Sequence, residues 1–275
     1  MISPQQTIEL SDGHRIPQLG LGVWQATQEQ ARETVKVALQ LGYRHVDTAA
    51  IYGNEEGVGN GIRDSGIARE TVFITTKIWH DSHGFGEAKG ALDASLSRLN
   101  VEYVDMVLIH WPVPSLDKYL DTWRALIDCQ REGKVRSIGV SNFNHEHLTR
   151  IIAETGVSPV LNQIELHPFF QQLNLRTTHE ALNIKTQSWS PLGQGSALTH
   201  PAILTVAEKH GRTAAQVIIR WHLDQGLIAI PKSITPSRIA ENFNVFDFAL
   251  DSADLASFAE LDSGIRLGAD PATFA

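Results

Sequence analysis

Residues 72–110, VFITTKIWHDSHGFGEAKGALDASLSRLNVEYVDMVLIH, carry the pattern that decides the fold. Two short apolar runs, residues 72–77 and 104–110, flank a longer amphipathic segment at residues 85–99. Apolar runs of this length are typical of buried strands, and the segment between them has the length of a crossover helix. The stretch therefore predicts a β–α–β unit with two parallel strands.

The same alternation extends along the chain in both directions. Eight strands are predicted, at residues 18–23, 45–48, 72–77, 104–110, 137–140, 161–166, 185–189 and 227–230. Helices are predicted at residues 28–41, 55–65, 85–99, 116–132, 146–155, 173–182, as a pair around 203–222, and at 236–244 and 253–261. Ahead of the first strand, the turn dipeptide Asp12-Gly13 separates residues 7–10 from 15–16 and indicates a β-hairpin.

Eight strands that alternate with helices, without a low-complexity linker, predict an α/β fold. We expect one domain over residues 1–275: a (β/α)8 barrel of the triosephosphate isomerase (TIM) type, with an N-terminal β-hairpin and a short C-terminal tail over one barrel mouth. An open, doubly wound sheet is the alternative. A dinucleotide-binding sheet of that kind needs Gly-x-Gly-x-x-Gly after its first strand, and this motif is absent there. The run Gly57-Val58-Gly59-Asn60-Gly61 has another spacing, and we interpret it as a loosened helix end.

Composition excludes several classes of protein. A net charge of -8 argues against binding to nucleic acid or to an anionic membrane, because both need a surplus of Lys and Arg. Cys129 is the only cysteine, so no intrachain disulfide is possible. Residues 1–6 lack the basic and apolar regions of a signal peptide. We therefore expect a cytoplasmic monomer that acts on small molecules.

Reactive side chains gather where predicted strands end. Asp47, Lys77 and His110 lie at the ends of three consecutive strands, and Tyr52 follows Asp47 by five residues. In a TIM barrel these strand ends form the active-site mouth. An ammonium beside Tyr52 stabilises its phenolate and makes the phenol a better acid, while Asp47 would hold Lys77 and His110 would orient a carbonyl oxygen. The set predicts proton donation to an alkoxide.

Other chemistries find less support in the sequence. A zinc motif such as His-Glu-x-x-His is absent, and we interpret His145-Glu146-His147 as a helix start, so no metal is expected. A phosphate-ester isomerase on the same barrel would need a glutamate base and a glycine-rich phosphate loop. Gly193 and Gly195 only weakly resemble such a loop.

Two motifs identify a family resemblance. Gly42-Tyr43-Arg44-His45-Val46-Asp47-Thr48-Ala49, followed by Tyr52, resembles the first signature of the aldo-keto reductases. Ile230-Pro231-Lys232-Ser233, with Arg238, Glu241 and Asn242 after it, resembles the cofactor-phosphate signature of that family. The resemblance covers nearly the whole chain and implies a (β/α)8 barrel that binds NADP(H), with Asp47, Tyr52, Lys77 and His110 as the catalytic tetrad.

The resemblance also implies which residues contact the cofactor and which contact the substrate. Trp189 offers a face on which a nicotinamide ring can stack, and Lys232 with Arg238 suits an adenosine 2′-phosphate. Trp24, Trp79 and Trp111 each follow a strand end and are expected to wall an apolar substrate pocket. The remaining cofactor contacts expected are Ser141, Asn142, Gln163, Ser190, Leu192, Ser233, Glu241 and Asn242.

Within the family, Trp189-Ser190-Pro191-Leu192-Gly193-Gln194-Gly195 resembles bacterial reductases of 2,5-diketo-D-gluconic acid. Trp24 departs from the phenylalanine that the best-known of these reductases has at the matching pocket position, so keto-sugar acids and dicarbonyls such as methylglyoxal both stay open as the small-molecule carbonyl substrate. An NADPH-binding regulatory or redox-sensing subunit with little activity is the alternative function. The intact tetrad favours the enzyme.

Overall fold

The computed structural model describes residues 5–275, so that residues 1–4, the start of the segment without signal-peptide features, lie outside it. The chain opens with an antiparallel hairpin of β1 (Thr7–Glu9) and β2 (Arg15–Pro17). Its turn is the predicted one, since Gly13 adopts a φ of +87° and the Leu10 amide donates to the His14 carbonyl at 2.8 Å.

Eight parallel strands follow in chain order. They are β3 (Leu21–Gly22), β4 (His45–Asp47), β5 (Phe73–Ile78), β6 (Val104–Ile109), β7 (Val135–Ser141), β8 (Leu161–Glu165), β9 (Lys185–Trp189) and β10 (Ile228–Ala229). Parallel bridges between Leu19 and Ala229 and between Gly22 and Lys232 join the first strand to the last. The sheet therefore closes on itself, which confirms the barrel and makes the open-sheet alternative wrong.

Helices occupy the connections between strands. They are α1 (Gln28–Leu41), α2 (Glu55–Ser65), α3 (Phe85–Leu99), α4 (Tyr119–Arg131), α5 (His145–Thr155), α6 (Leu173–Ala181), α7 (Pro201–His210), α8 (Ala214–Asp224), α9 (Pro236–Phe243) and α10 (Ser252–Ala259). The predicted bounds hold to within a few residues. The helix predicted from residue 116 begins at Tyr119 instead, because Pro114–Leu116 forms a separate 3₁₀ turn.

The glycine run in α2 corrects one interpretation. It lies inside the helix rather than at a loosened end, and its glycines lie on faces packed against neighbouring helices. A Cβ on Gly57 or Gly59 would lie 2.1 Å from the carbonyl oxygen of Gln28 or Leu99, respectively. Hydrogen in place of a side chain thus permits α2 to approach its neighbours closely.

The hairpin lies across the amino-terminal end of the barrel. Leu10 and Ile16 join a buried cluster with strand residues that include Met106, Leu161 and Ile228. The larger apolar core lies between the strands and the surrounding helices. The opposite, carboxyl-terminal end carries the strand ends and the loops that follow them. Within residues 5–275, no helix is long and apolar enough to cross a membrane.

Candidate active site

A buried ion pair lies at the floor of the carboxyl-terminal mouth. The Lys77 ammonium on β5 lies 2.5 Å from Asp47 Oδ1 at the end of β4 and donates to the Thr48 carbonyl at 2.8 Å. Gln163 Nε2 on β8 donates to the other Asp47 oxygen at 2.7 Å. Burial lowers the pKa of Lys77, but the Asp47 carboxylate, with a further contribution from Tyr52, more than offsets this effect and leaves that pKa above its ordinary value. Lys77 therefore stays charged.

Tyr52 and His110 lie above this pair. Tyr52 ends a 3₁₀ turn, Ala50–Tyr52, just after β4, and its ring centroid lies 5.1 Å from Lys77 Nζ. The Tyr52 and His110 rings meet edge to face at 5.7 Å. The structure thus brings together the four side chains of the predicted tetrad.

The pKa of Tyr52 departs from the sequence-based expectation. The positive charge of Lys77 does lower it, as expected, but burial of the phenol raises it by more, so the pKa of Tyr52 lies above 10.0. The reason is that the low-dielectric mouth penalises the phenolate more strongly than one ammonium stabilises it. At neutral pH the phenol is fully protonated, which is the form that a proton donor needs.

His110 is neutral at physiological pH. Burial, then the charges of Lys77, His80 and His83, lower its pKa well below 6.5. Its Nδ1 is buried without a hydrogen-bond partner among the described residues, and its backbone carbonyl accepts from Asn142 Nδ2 at 3.0 Å. A neutral imidazole can donate one hydrogen bond to a carbonyl oxygen without competing with Tyr52 for the proton.

A cavity of about 570 Å³ opens above Tyr52. The three predicted tryptophans, Trp24, Trp79 and Trp111, line it together with Ile51 and Phe274. A second cavity, of about 720 Å³, includes Arg15 and Arg44 and contains none of the tetrad. The predicted site residues that line the first cavity are Trp24, Asp47, Tyr52, Trp79, His110, Trp111, Ser141, Asn142, Gln163, Trp189, Ser190 and Lys232.

The residues assigned to the nicotinamide end lie at neighbouring strand ends. Asn142 follows β7, and its amide is already engaged, because Oδ1 accepts from Trp189 Nε1 at 2.8 Å and Nδ2 donates to His110. Asn142 thereby orients the Trp189 ring. Gln163 Nε2 is likewise occupied by Asp47 and by Gln187 Oε1, so its oxygen is the polar atom left for a ligand.

Backbone strain marks the same loops. Asn142 and Ser190 adopt left-handed φ angles of +62° and +48°, each one residue beyond the end of its strand. Such conformations in residues other than glycine cost about 1–3 kcal/mol and cluster at functional sites. Sequence reasoning did not foresee this strain.

The residues assigned to a phosphate lie beside the start of α9. Lys232 and Arg238 are exposed and have no ion-pair partner within residues 5–275, whereas the Ser233 hydroxyl accepts from the Thr235 amide at 3.2 Å. Two unpaired cations beside a helix start fit a dianionic phosphate group. Glu241 accepts from Thr213 Oγ1 at 2.8 Å, Asn242 is buried, and Leu192 packs against the core. These three do not line the cavity.

Sequence reasoning missed several residues of the cavity wall. Ile51 and Gln25 follow strand ends but carry no distinctive chemistry, and Gly268, Ala269 and Phe274 come from the tail. The expected position of the tail over one barrel mouth is the one signal that could have pointed to Phe274. No group of three or more His, Cys, Asp or Glu side chains among residues 5–275 is arranged to hold a metal ion.

Comparison with known proteins agrees with this geometry. A family model described as the aldo/keto reductase family matches residues 18–263. Methylglyoxal reductase DkgA of Escherichia coli K12 is 52% identical over 269 residues, which are 97% of each chain. An aldo/keto reductase structure from Brucella melitensis is 54% identical, covers 95% of this chain and 100% of its own, and has a TM-score of 0.93. A structure of a Gox0644 mutant in complex with NADPH is 50% identical, covers 99% of this chain and 100% of its own, and has a TM-score of 0.96.

Proposed function

Because the chain belongs to the aldo-keto reductase family and reduces carbonyl groups of small molecules with NADPH, we propose that it acts on small neutral dicarbonyls such as methylglyoxal, with Tyr52 as the proton donor. Tyr52 in an aromatic cavity, with the ion pair behind it, is the observation that carries the proposal. The similarity to methylglyoxal reductases supports the same substrate class.

The charge of the cavity separates the two substrate classes that the sequence leaves open. Among the residues that line the cavity, Lys232 is the single lysine and there is no arginine, and we assign Lys232 to the cofactor phosphate. The carboxylate of a keto-sugar acid would therefore meet the faces of Trp24, Trp79 and Trp111 without a cation. Burying an unpaired carboxylate costs several kcal/mol, so a neutral substrate is favoured.

Each residue of the tetrad then has its own role in the reduction. When bound, NADPH supplies the hydride that reduces the carbonyl carbon. His110, neutral, donates a hydrogen bond to the carbonyl oxygen and orients it. Tyr52 transfers its proton to that oxygen as negative charge develops there, and Lys77 stabilises the phenolate left behind. Asp47 keeps Lys77 charged.

The chain's own side chains place the cofactor. Trp189, held by Asn142, offers its ring to the nicotinamide, and Gln163 offers its oxygen to the carboxamide. Lys232 and Arg238, together with backbone amides at the start of α9, take the 2′-phosphate. Ser141, Ser190, Leu192, Ser233, Glu241 and Asn242 complete the set that we assign to the cofactor.

The substrate class is tested with a pair of aldehydes of similar size, neutral methylglyoxal and anionic glyoxylate. NADPH oxidation is followed for each, and kcat/KM for methylglyoxal is expected to be at least about tenfold higher, the equivalent of about 1.4 kcal/mol. A preference for glyoxylate, or a higher kcat/KM for 2,5-diketo-D-gluconate than for methylglyoxal, would overturn the proposal.

We also infer that the protein works as a single-domain monomer in the cytoplasm. One chain supplies every residue assigned to the site, which supports a monomer. Cys129, a buried free thiol in α4, suits a reducing compartment. Light scattering on the eluting protein tests the monomer, and a mass of twice 30.3 kDa would refute it.

A further inference from the structure

The tail after α10 supplies one wall of the substrate cavity. Gly268, Ala269 and Phe274 line the cavity that Tyr52 also lines. The Phe274 ring stacks on Trp111, with centroids 4.3 Å apart and an interplanar angle of 23°. A turn at Asp270, whose carbonyl accepts from the Phe274 amide at 2.9 Å, brings this ring back over the mouth.

A buried carboxylate binds the tail just before the residues that line the cavity. Glu165, the last residue of β8, is fully buried, and its two oxygens accept from the Leu267 amide at 2.6 Å and the Gly268 amide at 2.9 Å. The His167 ring adds a contact at 3.1 Å, and the Arg266 guanidinium lies 4.0 Å away. Each carboxylate oxygen thus accepts from one tail amide. We call this contact of Glu165 with the Leu267 and Gly268 amides the Glu165 clamp.

The position of Glu165 explains where the tail is placed. It pairs in register with Trp189 on β9, the tryptophan that we assign to the nicotinamide. A Cβ on Gly268 would lie 2.4 Å from Trp189 Cη2 and 3.0 Å from Glu165 Oε2. Only a glycine fits between the Glu165 carboxylate and the edge of the Trp189 ring.

We propose that Glu165 is a positioning residue that sets substrate specificity, because its carboxylate fixes Leu267 and Gly268 and so places Phe274 as a wall of the cavity. Glu165 does not line the cavity, and none of its contacts is a member of the tetrad. What the wall selects rests on the proposed function, since Phe274 on Trp111 favours an aromatic or apolar group beside the dicarbonyl. The clamp itself does not depend on it.

The charge state of Glu165 suits this role. Burial raises its pKa, but the His167 ring and the two tail amides together outweigh burial and hold the pKa of Glu165 below its usual value. The group is therefore a carboxylate at neutral pH. Glu165→Gln keeps the shape but replaces one acceptor oxygen with an amide nitrogen, which faces a tail N–H and cannot accept from it.

The clamp is tested first without any substrate. Trypsin cleaves after Arg266, directly beside the clamp, and release of residues 267–275 is followed by mass spectrometry on the NADPH-bound protein. Glu165→Gln is expected to speed this cleavage at least about tenfold, because local opening governs proteolysis. Glu260→Gln, an exposed glutamate at the start of the tail, is the matched control and should leave the rate unchanged.

Specificity is tested with phenylglyoxal and methylglyoxal. Glu165→Gln should raise the KM for phenylglyoxal about tenfold, with a much smaller change for methylglyoxal and kcat within about threefold. Phe274→Ala should have the same effect, and the double variant should be no worse than either single variant, since both act through one wall. Gly268→Ala gives a second route if Glu165→Gln does not fold, and it should reproduce both the faster cleavage and the raised KM.

Cleavage at the wild-type rate in Glu165→Gln and Gly268→Ala would overturn the clamp. An equal loss of kcat on both substrates without faster cleavage would do the same, because it would give Glu165 a role other than holding the tail. Inactivity of the wild type on all dicarbonyls would instead defeat the proposed function, and the cleavage result would still stand.

Discussion

At the scale of single residues, opposing effects act on the pKa of Tyr52. Burial raises this pKa most, the charge of Lys77 lowers it, and the charge of Asp47 raises it. An alkoxide is a stronger base than a phenolate, so the proton still moves downhill from Tyr52 to the reduced carbonyl oxygen. Burial therefore keeps Tyr52 fully protonated, and Lys77 stabilises the phenolate once the proton has left.

Tyr52→Phe is expected to lower the turnover of methylglyoxal by about 10²–10⁴-fold, the usual contribution of a general acid. NADPH affinity should change little, because the lost hydroxyl has no role in holding the cofactor phosphates. Steady-state rates and a fluorescence titration with NADPH measure the two quantities separately. Turnover above roughly a tenth of the wild-type value would rule out Tyr52 as the acid.

A pH profile of reduction can show the direction in which Lys77 shifts the pKa of Tyr52. Tyr52 must carry its proton to donate it, so reduction is lost as the pH rises through its pKa. Removing the Lys77 charge removes the effect that lowers this pKa, and the alkaline limb of the profile should move to higher pH.

The experiment uses Lys77→Met combined with Asp47→Asn, because a buried carboxylate left unpaired costs about 3–5 kcal/mol. Single-turnover rates are measured after a brief pH jump, because a short exposure to alkaline buffer limits unfolding. The double variant is compared with the wild type, because Asp47→Asn alone would leave the Lys77 ammonium buried without its carboxylate. The charge of Lys77 lowers the Tyr52 pKa by more than the Asp47 charge raises it, so the alkaline limb should lie at higher pH in the double variant, and an unchanged limb would contradict the proposed pairing.

At the scale of elements, the strands, their ends and a tail over one barrel mouth were predictable, but the contacts that hold the tail were not. Apolar runs of four to seven residues fix the strands, and Asp47, Lys77 and His110 stand out because reactive side chains close those runs. Residues 260–275 have no periodic pattern, so their place depends on tertiary contacts such as the Glu165 clamp. The sequence likewise cannot distinguish a glycine that loosens a helix from one that allows close packing.

The glycine run in α2 gives a matched pair of helix substitutions. Gly59→Ala places a Cβ 2.1 Å from the Leu99 carbonyl and should lower the free energy of unfolding by about 1–3 kcal/mol, the usual cost of overpacking. Gly90→Ala in α3 meets no atom within 4 Å and should raise it by about 0.5–1 kcal/mol, because alanine favours the helix. Urea unfolding measures both, and equal effects would show that contact with α3 does not matter.

At the scale of the whole molecule, the protein has a net charge of -8 and binds an anionic cofactor. The overall field therefore opposes association, and specific cations must provide the attraction. Lys232 and Arg238 are exposed, lack ion-pair partners within residues 5–275, and lie on either side of the start of α9. The preference for NADPH over NADH should depend on these two side chains, since NADH has no 2′-phosphate.

Replacing both with glutamine should weaken NADPH binding by about 10²–10⁴-fold, because a hydrogen bond to a charged group contributes about 1.5–3 kcal/mol. NADH binding should stay nearly constant, and the salt dependence of NADPH binding should flatten, because salt screens the phosphate contacts. Lys185→Gln with Arg131→Gln is the matched control: it removes the same charge where β9 begins and α4 ends, at the amino-terminal end of the barrel. Fluorescence titrations of both cofactors decide the matter. A parallel loss of NADPH and NADH affinity would show that Lys232 and Arg238 support the fold, and an equal loss in the control pair would assign the effect to net charge.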